Sequence, residues 1–165
     1  MLSSTLDPSP SSERGARVRF PPPLVFLIGI LAGLGVQHWV KGAAVPIDRT
    51  VAIVIGVLIV AGGLALIAVA RTQLVRTGQN PAPWKPSPEL VVQGPYKFTR
   101  NPMYVGMTCV EVGLGVAVNN AWISVLAFPA LAAVHFIAVL PEERYLSEKF
   151  GESYTRYLAQ SRRYL

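Results

Sequence analysis

Long apolar runs constrain this chain more than any other feature of its sequence. Each of the first two is close to the roughly 20 residues that a helix needs to cross a bilayer. Asn119 and Asn120 separate the last two runs, which are therefore expected to form a helical hairpin. Hydrocarbon offers backbone groups no partner, so even segments rich in Val and Ile are expected to be helical. The sequence predicts an all-α integral membrane protein with about four transmembrane helices, near residues 22–40, 50–70, 103–118 and 121–140.

The remaining segments complete a single domain. Only 15% of the 165 residues are charged, whereas soluble domains carry roughly 25%. Residues 1–20 are rich in Ser and Pro and are expected to be a disordered tail before one membrane domain over residues 21–165. That domain contains a polar loop at 71–102 and an amphipathic tail at 141–165, which is expected to rest on the membrane surface. A signal peptide cleaved near Gly42 is the alternative for the first run, but this run is longer than a usual signal core.

The basic residues predict the orientation of the chain. Of the fifteen Lys and Arg residues, only Lys41 and Arg49 lie in the loop between the first two runs; the others lie in the two tails or in the 71–102 loop. Basic residues favour the cytoplasmic side, so both termini and the long loop are expected to face the cytoplasm. The net charge of +6 does not indicate nucleic-acid binding, since the charges flank apolar runs and form no patch with interleaved aromatics.

The two ends of the hairpin carry the residues best suited to chemistry. The 71–102 loop contains six prolines, which make it a stiff binding surface more than a flexible linker. At its end, Asn101 is expected to cap the next helix and Pro102 to occupy its first turn, directly after Arg100. Antiparallel helices bring this segment to the same membrane face as Glu142-Glu143. The grouping of a cation, aromatic residues and two carboxylates fits either a functional site or a solvated helix end.

Short motifs over residues 71–165 occur in a characteristic order. They are Leu90-Val91, Gly94-x-Tyr96, Arg100-Asn101-Pro102-x-Tyr104-x-Gly106, the apolar hairpin, Glu142-Glu143 and Phe150-Gly151-x-x-Tyr154. This set resembles the isoprenylcysteine carboxyl methyltransferase family and, more broadly, the membrane phospholipid and isoprenylcysteine methyltransferase superfamily. The resemblance implies methyl transfer from S-adenosylmethionine to a lipophilic or small-molecule acceptor, a carboxylate, thiol or amine. It also favours a bacterial inner membrane protein whose active site faces the cytoplasm.

The resemblance implies roles for individual residues. The cofactor would be bound by Glu89, Leu90, Val91, Tyr96, Asn101, Pro102, Met103, Tyr104 and Glu142. Aromatic faces such as those of Tyr96 and Tyr104 stabilise a sulfonium cation, and a carboxylate such as Glu142 accepts hydrogen bonds from ribose hydroxyls or an ammonium. Arg100 would pair with the cofactor carboxylate or with Glu143, and these two residues are assigned the catalytic role. Methyl transfer is an in-line displacement that depends on alignment, so neither a metal nor a covalent nucleophile is expected.

Two departures from the family pattern bear on specificity. Asn101 stands where the family often has His, and Asn can still cap a helix. Ala138 stands where the eukaryotic prenylcysteine enzymes have an Arg that contacts substrate, so a prenylcysteine acceptor is not carried over. Two other functions stay open: a membrane reductase of the sterol-reductase type, which shares an Arg-x-Pro-x-Tyr element and uses NADPH, and a non-enzymatic membrane protein. The acceptor and the oligomeric state also stay open.

Some polar residues fall inside the apolar runs, where ionisable groups are costly and are candidates for function. His135 is nearer the expected cofactor end and is predicted either to contact substrate or to make a packing hydrogen bond. Glu111 is expected to be a neutral acid that bonds to another helix. Cys109, the only cysteine, is expected to be a small buried hydrophobe. The tail after Glu143 is split by Gly151 and is expected to close the cofactor site as a lid.

Overall fold

The computed structural model describes residues 15, 16, 18, 20–40 and 47–165. The helices are α1 (Pro22–Trp39), α2 (Arg49–Arg76), α3 (Pro102–Ala117), α4 (Ala121–Val134), α5 (Leu140–Phe150) and α6 (Glu152–Gln160). A 3-10 helix at Gly94–Lys97 precedes α3, and a π-helical segment at His135–Val139 joins α4 to α5 without a break. The prediction of an all-α fold is confirmed.

The long helices have the length and surface of membrane spans. Among the described residues, three continuous helices are long and apolar enough to cross a bilayer, namely Pro22–Trp39, Arg49–Arg76 and Ala121–Phe150, and the 16-residue α3 is a shorter apolar helix. Large apolar side chains point outward along them, with Leu31 58%, Leu58 65% and Phe128 63% exposed. A lipid environment would cover these surfaces. The chain is therefore an integral membrane protein.

A tight turn makes α3 and α4 an antiparallel hairpin, as predicted. Asn119 adopts a left-handed conformation with φ 56°, which Asn tolerates better than most residues. The side chain of Asn120 caps α4 by accepting hydrogen bonds from the backbone N–H groups of Trp122 (3.1 Å) and Ile123 (3.3 Å). Its Nδ2 also donates to the carbonyl of Gly33 in α1, at 3.2 Å. Asn120 thus holds both the α3–α4 hairpin and the neighbouring α1 in position.

Small residues allow the closest helix contacts. Besides the α3–α4 pair, α2 packs along α3 and α1 packs along α4. A Cβ atom placed on Gly63 of α2 would lie 2.6 Å from the carbonyl oxygen of Gly106 in α3, so the two backbones touch there. Close backbone approach through glycine is a common way to hold helices together in lipid, where burial of apolar surface contributes little.

A wide turn precedes Pro141 and continues the last span into the polar region. Pro141 has no N–H to offer, and its ring would crowd the carbonyl four residues earlier in a regular helix. The π-helical segment accommodates it, and the N–H of Leu140 bonds instead to the carbonyl of His135. Single π-turns of this kind occur often near functional sites. The helix therefore carries Glu142 and Glu143 onward in the first turn of α5.

Two features differ from the expectations drawn from the sequence. The helix predicted at 50–70 extends to Arg76, so the loop before α3 starts later. Ala16 and Val18 are buried, and the N–H of Ala16 donates to the carbonyl of Pro83 at 3.0 Å. The predicted disorder of residues 1–20 therefore does not extend to these two residues, because their apolar side chains join the core. Residues 1–14, 17 and 19 of that tail, and Lys41, lie outside the described residues.

We expect Gly63→Leu to lower the free energy of unfolding by about 1–3 kcal/mol, the usual range for overpacking a tight contact. The leucine would force α2 away from the backbone of α3. Gly62→Leu is the matched control, because a Cβ atom there meets nothing within 4 Å. Thermal unfolding of both variants in the same detergent, followed by circular dichroism, measures the difference. Equal melting temperatures would mean that α2 and α3 are not held by this contact.

Candidate active site

A cavity of about 300 Å³ lies at the end of the hairpin where α3 begins and α5 leaves the last span. The loop after α2, the first turn of α3 and parts of α5 and α6 form its walls. All the residues predicted to bind the cofactor line it: Glu89, Leu90, Val91, Tyr96, Asn101, Pro102, Met103, Tyr104 and Glu142. Arg100 and Glu143, predicted as catalytic, line it as well. The fold thus brings together residues that lie more than 50 positions apart in the sequence.

The hydroxyl of Tyr104 donates a short hydrogen bond to Oε1 of Glu142, at 2.6 Å. Tyr104 stands in the first turn of α3 and Glu142 in the first turn of α5, so this bond joins the two ends of the hairpin across the cavity wall. Tyr104 is 7% exposed. The pair therefore forms a fixed polar element in a largely apolar wall.

Helix α6 closes one side of the cavity with Tyr154 and Tyr157. The hydroxyl of Tyr157 donates to the backbone carbonyl of Tyr96 at 2.7 Å. Burial raises the pKa of Tyr157 to about 12, against smaller opposing effects of Ser161 and Arg100. Burial, with the neighbouring charges of Glu142 and Tyr157, also raises the pKa of Tyr96. Both phenols are therefore protonated at neutral pH, and Tyr157 can act as a donor there.

The last five residues, 161–165, form what we call the C-terminal strap. The N–H of Arg162 donates to the carbonyl of Phe98 (3.1 Å), and the N–H of Arg100 donates to the carbonyl of Arg162 (2.8 Å). The strap also corrects one prediction. Asn101 holds the N-cap position of α3 but makes no side-chain cap. Its Nδ2 donates instead to the carbonyl of Arg163, at 2.9 Å, because the strap presents an acceptor beside it.

The charged pair in the cavity wall is tied to the same strap. Arg163 donates two hydrogen bonds to the carboxylate of Glu143, at 2.9 and 2.8 Å. A guanidinium that meets both carboxylate oxygens is among the stronger ion pairs. Nε of Arg100 lies 3.5 Å from Glu143, and its Nη1 donates to the carbonyls of Leu158 (3.3 Å) and Ser161. Within the described part of the chain, Nε of Arg100 is buried without a hydrogen-bond partner.

Several cavity residues were not among those predicted from the sequence. The side chain of Gln79 donates to the carbonyl of Glu89 and so holds that predicted residue in place. The hydroxyl of Tyr145 accepts from the N–H of Ser87 at 3.0 Å and links the loop to α5. Trp84 also lines the cavity. The aromatic spacing of the tail was the one sequence signal for residues of this kind. It indicated an amphipathic helix but did not indicate which wall of the cavity that helix would complete.

His135, for which the sequence left a substrate contact and a packing hydrogen bond open, is not among the described residues that line the cavity. Its Nδ1 and the hydroxyl of Tyr164 in the C-terminal strap are 2.9 Å apart, within hydrogen-bond distance. The two rings are also neighbours, with centroids 6.1 Å apart. Of the two roles predicted for His135, this geometry is that of the packing hydrogen bond.

Comparison with known families identifies the class of protein. The family model described as phospholipid methyltransferase matches residues 51–153, from α2 to the start of α6. The match spans more than half of the chain and includes the hairpin and nearly every cavity wall. The chain belongs to the phospholipid methyltransferase family and is a membrane methyltransferase, which confirms the superfamily resemblance seen in its motifs. A comparison with curated proteins gave no match.

We expect Arg100→Gln to lower the free energy of unfolding by about 2 kcal/mol, the range for hydrogen bonds that involve a charged group. The amide cannot reach Glu143 and the two carbonyls together, so the strap would detach from α3. Arg162→Gln is the control, because that side chain is exposed and its strap contacts are made by the backbone. Chemical denaturation in detergent compares the variants. Unchanged stability of Arg100→Gln would show that the strap does not depend on this guanidinium.

Proposed function

We propose that this protein binds S-adenosylmethionine in the cavity and transfers its methyl group to a lipophilic or small-molecule acceptor. The observation that supports this most is the cavity itself, which gathers the nine predicted cofactor residues from four separate segments. The family match supports methyl transfer as the reaction class. A carboxylate, thiol or amine could serve as the acceptor, since each offers a lone pair for attack on the methyl carbon.

The residues of the cavity suit the chemical parts of such a cofactor. Tyr96 and Tyr104 supply buried aromatic surface, which stabilises a sulfonium cation. Oε1 of Glu142 accepts the bond from Tyr104, and the second oxygen is an acceptor suited to ribose hydroxyls or an ammonium. Nε of Arg100 lies 3.5 Å from Glu143 and forms an ion pair with it, so Arg100 would support the cavity wall rather than bind the cofactor carboxylate. A volume of about 300 Å³ is within the range of small-molecule sites.

The bound cofactor would supply an electrophilic methyl group on a positively charged sulfur. In the transfer, the acceptor would gain a bond to the methyl carbon in place of the carbon–sulfur bond of the donor, which would be left as a neutral thioether. The contribution of this chain is alignment and exclusion of water, which together account for a large share of such rate gains. Tyr104 and Glu142 would fix the donor side, while Arg100 and Glu143 would hold the wall through the C-terminal strap.

Two alternatives are weaker. A reductase of the sterol-reductase type would need cations for the extra phosphate of NADPH, and the cationic groups of Arg100 and Arg163 already engage Glu143 and the strap. A non-enzymatic membrane protein would not require a cavity lined by buried polar groups. The family match also favours the methyl donor over both.

We expect Glu142→Gln to weaken S-adenosylmethionine binding about tenfold or more, because hydrogen bonds to a charged acceptor contribute roughly 1.5–3 kcal/mol. Glutamine can still accept from Tyr104, so the wall should stay folded. Titration calorimetry of the detergent-purified protein measures the affinity, with NADPH titrated in parallel.

Glu148→Gln is the matched control, because Glu148 is exposed on the same helix. Its affinity should equal that of the unaltered protein. Binding of NADPH alone would indicate a reductase. Binding of neither ligand would favour a non-enzymatic role. If the Glu142→Gln variant binds S-adenosylmethionine as tightly as the unaltered protein does, Glu142 is not part of the cofactor site.

We further propose that the cavity faces the cytoplasm, in a bacterial inner membrane. The support is the basic residues concentrated at the cavity end of the helices. In a Cys109→Ser background, we expect Ser153→Cys, an exposed residue near the cavity, to react with a membrane-impermeant maleimide only after bacterial host cells are opened. Ile47→Cys, at the opposite end and 41% exposed, should react in intact spheroplasts. The reverse pattern would invert the topology.

A further inference from the structure

A second concavity lies within the membrane region, between α1, α2 and α3. It has a volume of about 200 Å³ and apolar walls that include Phe26, Leu27, Leu64 and Val110. Leu27 and Leu64 are 47% and 53% exposed on the outer surface of the helices, so this groove is reached from the lipid side. Lipid chains can therefore enter it without passing through water.

Among the described residues that line the groove, Glu111 is the one with an ionisable side chain. Glu111 is 1% exposed, and neither of its oxygens has a hydrogen-bond partner among the residues that the structure describes. The carboxyl lies against the backbone of α1 at Gly29, where any added Cβ atom would collide with Oε1. In place of the hydrogen bond to another helix that the sequence predicts, the carboxyl of Glu111 contacts Gly29, which has no side chain that could bond to it.

A buried acid with two unpartnered oxygens carries a cost that a bound group can remove. Glu111 is nine residues beyond Pro102, or about 14 Å along α3 from the cavity end at 1.5 Å per residue. Hydrocarbon at this depth favours the neutral acid, which both donates and accepts a hydrogen bond. A hydroxyl group also does both, and unlike an ammonium it brings no charge into the bilayer.

The groove and the candidate active site are neighbours. Pro23 and Met107 form part of the wall of each. A chain that occupies the groove with its polar group at Glu111 would therefore have one end beside the cavity. This arrangement suits a long, thin molecule that lies along the helices.

We propose that the groove between α1, α2 and α3 binds the hydrocarbon chain of a lipophilic molecule, and that Glu111 recognises a hydroxyl group on that chain. The site is separate from the one proposed for the methyl donor and does not require donor binding. Glu111 is then a specificity-determining residue inside the membrane, and Gly29 provides the space for its carboxyl.

The test uses the detergent-purified full chain and a series of saturated fatty acid methyl esters that differ only in the position of one hydroxyl group. Affinity is measured by displacement of a fluorescent fatty ester. We expect the best hydroxylated ester to bind on the order of tenfold more tightly than the ester without a hydroxyl, as one buried hydrogen bond allows. The preference should peak at mid-chain positions and decline on either side.

Two variants assign the effect to Glu111. Glu111→Gln keeps a donor and an acceptor and should retain the preference, whereas Glu111→Leu should bind both kinds of ester equally. A hydroxyl preference that survives in Glu111→Leu would overturn the proposal, and so would equal binding of all esters by the unaltered chain. Melting temperatures of both variants establish that they are folded.

A measurement on the unaltered chain avoids any dependence on variants that do not fold. A mid-chain hydroxylated ester that carries a diazirine next to the hydroxyl should crosslink to the groove, at Leu27, Leu64 or Val110. Crosslinks confined to other surfaces would overturn the proposal. Failure of S-adenosylmethionine to bind would count against the proposed function and leave this result intact, because no methyl donor is present in either assay.

Discussion

Hydrocarbon gives the peptide backbone nothing to bond to, and most of this structure follows from that constraint. Each apolar segment must satisfy its own N–H and C=O groups, so it is a helix. Adjacent helices joined by a tight turn run antiparallel, and the three-residue connection at 118–120 makes α3 and α4 such a pair. The start of α3 and the end of the last span then meet at one face. The bond between Tyr104 and Glu142 can form only because of this geometry.

The C-terminal strap gives that meeting point its rigidity. The strap belongs to neither helix of the hairpin. It adds backbone hydrogen bonds to residues 98–100 and a bidentate ion pair to Glu143. These directional polar contacts add to the apolar packing of the cavity wall. The carbonyl of Ser161 in the strap also accepts a hydrogen bond from the guanidinium of Arg100. This makes Arg100 as much a structural residue as a candidate for chemistry.

Two concavities of different character lie next to one another in this small chain. The cavity is lined by tyrosines, carboxylates and a guanidinium, whereas the groove is apolar apart from Glu111. Met107 of α3 and Pro23 of α1 belong to both, so the cavity and the groove are adjacent. A methyltransferase acting on lipophilic acceptors would need such an arrangement, since its two ligands arrive from different solvents.

The sequence alone determined the all-α membrane fold, the hairpin and part of the set of residues that line the cavity. Span length and the need for backbone hydrogen bonds leave few alternatives, and ordered motifs carry the site. Tertiary structure decided what depends on contacts distant in sequence. Examples are the strap that takes Asn101 away from its capping role, the tyrosines of α6 in the cavity wall, and the pairing of His135 with Tyr164. It also decided that Glu111 faces Gly29 and an apolar groove, because local pattern specifies a helix face but not the residue opposite it.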